Sequence, residues 1–484
     1  MDGNRRKFLI NSFLAGGSLM LSGRLFPKKA TAEVRREKMN ILFITLDDLN
    51  YNSLGITGSS VKNISPNIDK LREDSFFFDK AHVTIAVCQP SRQVMMTGKF
   101  PHNMGATGFE PIDPSHTTLQ EVLRDNGYRN GILHKVKHLA PASKFPWDLK
   151  VGSDQLGMAR DPEKFYQTVK RFINKSKKQS KPFFLMVNSA DPHRPFATSN
   201  SEKKKARARG HSVPTVDKVY KPSEIEVPGF LPDIPKVRKE VAQYYTSVHR
   251  GDQVIGRTID ALKESGLYNK TIIVLLSDNG MAFPYAKTNV YLNSTKTPLL
   301  IRVPGMTEAG GIDREHFVSG VDMMPTLLDL VGIKGDLKLD GRSFAPLLKG
   351  QKQNGRDVVF TYMYKTVRGK AYPMRAIVDE ENAYIYNDWA DNVKIFKNES
   401  QSGMTWKAMV AASESNEEIR NRVRIFQHRI PHEFYDLDKD PDALNNLYDR
   451  SKFSSKIETM KRRLLTHMKE TKDPLFGSFK RQVP

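Results

Sequence analysis

Short, almost uninterrupted apolar runs constrain this chain most. The first is NILFITL at residues 40–46; PFFLMVN follows at 182–188, TIIVLL at 271–276, and a fourth at 298–303. A strand with one face in water alternates apolar and polar residues. These do not alternate, so each must be covered on both faces. Helical patterns lie between them. Residues 117–126 set Leu119, Val122 and Leu123 on one side and end before Gly127, and a long helical segment at 238–265 closes at Gly266. Strands alternating with helices predict an α/β fold with a large mixed, mostly parallel sheet flanked by helices.

Near residue 355 the pattern changes. Residues 358–362 read as a strand, 375–387 as part of a hairpin, and 433–437 as a strand before the turn Asp438-Lys439-Asp440-Pro441. A basic amphipathic helix is expected over 455–472, and no pattern is legible between 395 and 430. The expected organisation is a large α/β domain over 38–355 and a smaller C-terminal α+β domain over 356–484.

Residues 1–32 read as an export signal. Arg5-Arg6-Lys7 precedes an apolar run at 8–21 that is short for a membrane span, and Ala30-Thr31-Ala32 offers small residues for cleavage. Paired arginines before Phe8-Leu9 resemble a twin-arginine signal, and a plain secretory signal is the alternative. Either way the expected location is periplasmic or secreted, with no stable membrane insertion once the signal is removed. The net charge of +22 predicts affinity for polyanions: nucleic acid, an anionic membrane surface or a sulfated glycan. The densest basic runs, 175–181 and Lys203 to Arg209, are expected at surface loops or helix ends. No zinc-finger spacing or RNA-binding aromatic motif accompanies them, so a nucleic-acid partner is not expected.

One cysteine in 484 residues cannot form an intramolecular disulfide, so Cys88 is either chemical or incidental. Free cysteines are commonly small buried hydrophobes. The setting of this one argues otherwise: Cys88-Gln89-Pro90-Ser91-Arg92 combines a proline expected to fix a turn, a hydroxyl and a permanent cation. Acidic and amide residues follow two of the expected strands, Asp47-Asp48 after the first and Asp278-Asn279 after the third. Ligands bind at that edge of an open parallel sheet. Adjacent carboxylates repel unless a cation or proton lies between them, and a hard divalent cation removes that cost. Basic groups fall at the ends of strands too: His134-Lys135-Val136-Lys137-His138, then Asp191-Pro192-His193-Arg194, with Lys287 downstream of Asp278.

The stretch from Cys88 to Gly98 resembles the signature of the type I sulfatases, C-x-P-S-R-x-x-x-x-T-G, with Met96 and Lys99 as mild departures. The resemblance implies an alkaline-phosphatase-like fold. It implies that a formylglycine-generating maturation enzyme oxidises Cys88 to formylglycine (3-oxoalanine), whose hydrate is the nucleophile. One divalent cation, Ca²⁺ or alternatively Mg²⁺, is implied at Asp47, Asp48, Asp278, Asn279 and position 88. Arg92, Lys135, His138, His193 and Lys287 are the implied catalytic groups. Lys137 is the alternative to Lys135, because K-x-H is commoner in the family than K-x-x-H. Within the family, Asp191 to Arg194, Ala242 to Thr246, Lys287 to Tyr291 and Tyr372 to Arg375 look like the N-sulfoglucosamine sulfohydrolases. The expected activity is hydrolysis of sulfate esters or sulfamates of a sulfated polysaccharide or its oligosaccharides, heparan-type or algal. The alternatives are a phosphatase or phosphonate hydrolase of the same superfamily, and a non-catalytic sulfated-glycan-binding protein.

Overall fold

The run at Asn40–Leu46 becomes β1, a strand buried at every position in the middle of the large sheet. A computed structural model describes residues 38–483; the export signal expected at 1–32 lies outside them. The remaining strands of this part are β2 (Phe76–Phe78), β3 (Ala81–His82), β4 (Arg129–Leu133), β5 (Leu149–Val151), β6 (Phe183–Ser189), β7 (Thr271–Ser277), β8 (Leu299–Arg302), β9 (Ile312–Asp313) and β10 (Val318–Ser319). Eight of them form one sheet in the order β5-β4-β6-β1-β7-β8-β2-β9, while β3 and β10 pair separately. From β5 to β7 every pairing is parallel; β8 runs antiparallel to both β7 and β2. The sheet is therefore mixed and mostly parallel, as its apolar runs require.

β1 lies between β6 and β7, with Leu46 opposite Ser189 on one side and Ser277 on the other. The residues after all three strands therefore emerge side by side at one edge. The 30-residue helix Pro235–Glu264 packs against the helices Pro162–Lys178, Pro66–Glu73 and Met404–Ala412. The basic runs sit on the exposed helix Asn200–Ala208 and at the end of Pro162–Lys178.

The C-terminal strands, β11 (Val359–Lys365), β12 (Ala371–Val378), β13 (Asn382–Asn387) and β14 (His432–Asp436), form an antiparallel sheet in sequence order. One face carries the helix Ser454–Glu470, with Ile377, Tyr384, Phe434, Met460 and Leu464 in a shared apolar cluster. Tyr362, Met363, Met374 and Ile385 join the core of the large sheet instead. The Tyr362 amide donates to the Thr84 carbonyl at 2.9 Å, so β11 touches the loop just ahead of Cys88. Among the described residues, no helix is long and apolar enough to cross a membrane.

A buried imidazole and a half-buried one make this core acid-sensitive. His82 shares a 3.0 Å hydrogen bond with Thr295, and His467 stacks on Phe360 with ring centroids 3.7 Å apart. Burial holds His82 down to about 3 and His467 to about 4. Unfolded imidazoles titrate near 6.5, so at acid pH the unfolded chain binds protons that the folded chain refuses. Stability should fall as pH drops from about 6.5 toward 4, by on the order of 3 kcal/mol per histidine. Urea midpoints against pH check this: His82→Asn should flatten the slope, and an unchanged slope would contradict the assignment.

Candidate active site

The helix Cys88–Thr97 begins at the cysteine itself, and all ten of its residues are buried. Pro90, expected to fix a turn, instead occupies the first helical turn, where a missing N–H costs nothing. Gly98 ends the helix at φ 62°, a left-handed conformation that glycine adopts without penalty. Arg92 lies one turn below Cys88 and is completely buried. Its Nε and Nη2 donate to Asp278 Oδ2 at 3.0 and 2.7 Å, and Nη1 donates to Thr45 Oγ1 at 2.6 Å and to Asn188 Oδ1. Such a fully partnered guanidinium is rigid, and it ties the helix to the ends of β1, β6 and β7.

Asp47 and Asp48 follow β1 directly. Lys135 pairs with Asp47 Oδ2, and Lys287 Nζ lies 2.8 and 3.0 Å from the two oxygens of Asp48. Lys137 is exposed, so Lys135 is the lysine that the β4 end delivers to this cluster. Lys287 reaches it because the Thr288 amide donates to the Ala86 carbonyl, two residues before Cys88. Gly280 has no room for a side chain: a Cβ would lie 2.0 Å from the Asn293 carbonyl oxygen. Asp48, His134, Lys135 and Thr288 all have φ between 54° and 68°, so strained backbone concentrates around the cluster.

His193 donates from Nδ1 to the Arg194 carbonyl at 2.6 Å, which leaves Nε2 facing Asp48 at 3.8 Å and Glu399 at 3.3 Å. Glu399 Oε2 also meets Lys287 Nζ at 3.1 Å. Sequence reasoning missed Glu399, which falls in the illegible stretch. Its local signal is a capping box, Asn398 with Gln401, around a short 3₁₀ turn. His138 shares a cavity with Cys88, Lys135 and His193, and its Nδ1 is buried without a partner.

The electrostatics follow from burial and proximity. Burial alone would raise Asp47, but Lys135 foremost, then His193, Arg92 and Lys287, hold it well below the usual carboxylate range. Burial pushes Asp278 up to about 6 against the pull of Arg92. Lys287 holds Glu399 down at about 2. Burial, and then the cations of Lys135 and Arg92, hold His138 well below the ordinary imidazole range. Burial raises the Cys88 thiol, so as a bare thiol it is a poor nucleophile at neutral pH.

The donor set fits a hard cation. Ligand atoms of Asp47, Asp48, Cys88 and His193 all lie within 4.8 Å of one another. Asp47 Oδ1 and Asn279 Oδ1 are buried oxygens with no hydrogen-bond donor, which is costly unless a cation takes them. Asp278 lies outside that group of four: Arg92 holds Oδ2, and the Asp48 amide donates to Oδ1 at 3.2 Å. Charge gives the same answer. Four carboxylates (Asp47, Asp48, Asp278, Glu399) face three permanent cations (Arg92, Lys135, Lys287). As built, the cluster is one negative charge in excess and would repel an anion; a divalent cation makes it one positive.

Behind His193 lies a second ion cluster. Asp191 accepts from Arg160 Nε at 2.9 Å and from Arg250 Nε and Nη2 at 2.6 and 3.1 Å, and Arg250 also bonds Glu202 at 2.6 Å. Arg160 donates to the His193 carbonyl at 2.8 Å, so this cluster sets the histidine loop.

A family model described as Sulfatase matches residues 39–333, and one described as N-sulphoglucosamine sulphohydrolase, C-terminal, matches residues 282–402. The chain is 27% identical over 479 residues to human N-sulphoglucosamine sulphohydrolase, covering 91% of this chain and 92% of that one. It is 23% identical to an ulvan-active sulfatase of Formosa agariphila, covering 90% and 76%. A protein solved with its substrate D-glucosamine-2-N,6-O-disulfate has the same fold, with TM-score 0.65 and 18% identity over 90% of this chain and 99% of that one.

Breaking a buried ion cluster strands its remaining charges. Arg250→Met should lower unfolding stability by about 3–5 kcal/mol. A chemical denaturation midpoint within error of the wild type would show that Arg160 alone satisfies Asp191.

Proposed function

Because the chain belongs to the sulfatase family, we propose that it hydrolyses sulfate esters or sulfamates of a sulfated glycan through an oxidised Cys88. The observation that carries this reading is the cysteine itself. It is the only one in the chain, it opens a buried helix, and it faces two carboxylates and two ammonium groups. Burial raises the thiol, which argues against thiolate chemistry at this position. Asp47, Asp48, Asp278 and Asn279, with position 88, would hold one divalent cation, Ca²⁺ by preference for an all-oxygen set. When bound, that cation would supply the positive charge the cluster lacks for a sulfate.

The rest is work for this chain's own residues. Lys135 and Lys287 are held in place before substrate arrives, so they can neutralise sulfate oxygens without reorganising, while the fully partnered Arg92 holds Asp278 and the Cys88 helix beneath them. A hydroxyl of the aldehyde hydrate would give up its proton to the Asp278 carboxylate as it attacks sulfur, the S–O or S–N bond to the sugar would break, and His193 would protonate the departing atom. The second hydroxyl would then pass its proton to His138, which lines the cavity with an unpartnered Nδ1; the carbonyl would re-form, sulfate would leave, and water would restore the hydrate. Glu399 orients His193 and Lys287 from the opposite side. The similarity to N-sulphoglucosamine sulphohydrolase over nearly the whole chain supports a sulfamate on glucosamine as substrate, and the ulvan-active relative supports an algal ester as the second reading. We place the protein outside the cytoplasm on the strength of residues 1–32, and a formylglycine-generating enzyme is the partner it needs.

The test is sulfate release, read by ion chromatography, from N-sulfoglucosamine and from ulvan oligosaccharides, with protein co-produced with a formylglycine-generating enzyme. Cys88→Ala should reduce release to background while leaving the fold intact; retained turnover would sink the mechanism. Arg92→Ala or Lys287→Ala should cost about 10²–10³-fold in kcat.

A further inference from the structure

Above the catalytic floor the cavity opens to about 670 Å³, far more than one sulfate group needs. Its upper wall is basic. Arg368 and Lys370 project from the β11–β12 turn, and Lys397 comes from the segment that leads into Glu399. None of the three makes an ion pair with any described residue, and all are exposed. The only acidic residue in the lining is Glu399, which Lys287 and His193 already hold. This mouth therefore presents cations with no internal partner.

Both segments are fixed to the floor. Gln89 and Gln93 of the Cys88 helix donate to the Glu110 carbonyl at 3.0 and 3.2 Å, and the Glu110 carboxylate pairs with Lys365 at 2.5 Å, just before the turn. The turn is closed by hydrogen bonds between Thr366 and Lys370 at 2.9 Å and between Gly369 and Thr366 at 2.9 Å, with Gly369 at φ 75°. On the other side, Asn398 Nδ2 donates to the Lys287 carbonyl at 3.3 Å, beside Lys397. Free cations on anchored backbone, opening onto the reaction centre, are what a second anion requires. Val367, half exposed next to Arg368, adds an apolar surface against which a sugar ring can lie.

We propose that Arg368, Lys370 and Lys397 form a second anion subsite, so that the substrate is an oligosaccharide carrying at least one further sulfate or carboxylate beside the group removed. This rests on the sulfatase reading but makes a separate demand. A monosulfated sugar satisfies the floor alone; a polyanionic chain satisfies both.

The test uses binding, which needs no turnover. In a Cys88→Ala background with calcium present, sulfated tetrasaccharides from heparin and from ulvan are titrated calorimetrically. The expected result is that adding R368A, K370A and K397A together weakens the preferred tetrasaccharide by at least about tenfold and flattens its salt dependence. Binding of N-sulfoglucosamine should be unchanged. Equal tetrasaccharide affinity with and without the three substitutions, or no binding of either tetrasaccharide, would overturn the subsite. In the otherwise wild-type enzyme, sulfate release is a separate readout. Charge-dependent binding without release from any sulfated substrate would support the subsite and count against the sulfatase reading. Release that the three substitutions leave unchanged on both small and large substrates would do the reverse.

Discussion

The chain sets two adjacent carboxylates, Asp47 and Asp48, at the buried end of its central strand, and much of the surrounding structure answers to that one cost. Neither carboxylate can be ionised there without compensation. Lys135 is delivered by β4, Lys287 by the loop after β7, and Arg92 by the Cys88 helix, which is in turn held by Thr45 and Asn188 at the sheet edge. The parallel pairing of β6, β1 and β7 is what brings these ends together. A charge cluster that still lacks one positive charge is matched to a divalent cation followed by a singly charged sulfate ester or sulfamate.

The C-terminal sheet belongs to this arrangement as much as to its own core. Its first strand touches the loop ahead of Cys88, its first turn is tied through Glu110 to the Cys88 helix, and Glu399 reaches Lys287 and His193. The small sheet therefore closes one wall of the site, and variation in its turns can change the substrate without disturbing the reacting groups.

The parts legible in the sequence were those with strong local signals. Runs such as NILFITL could only be strands buried on both faces, and β1, β6 and β7 start and stop within a residue or so of the expected positions. β8 was legible as a strand, yet its antiparallel direction was not, because strand direction is a property of pairing rather than of composition. Asp47, Asp48, Asp278 and Asn279 were visible through their place after strands. Lys135 could not be separated from Lys137 until β4 fixed which one turns inward. Glu399, Asn188 and Arg160 were invisible: each acts through a partner far away in sequence, and no local pattern announces that. The region from 395 to 430 holds two helices, Met404–Ala412 and Glu417–His428, whose apolar faces are short and interrupted by charge.

The account turns on charge balance at Asp47 and Asp48, and calorimetry of inorganic sulfate binding to metal-stripped protein tests it most directly. It predicts no measurable sulfate binding before calcium is added and clear binding afterwards, with the gain absent in Asp47→Asn. Equal sulfate binding with and without calcium would contradict it, because the buried lysines and Arg92 would then suffice to hold the anion by themselves.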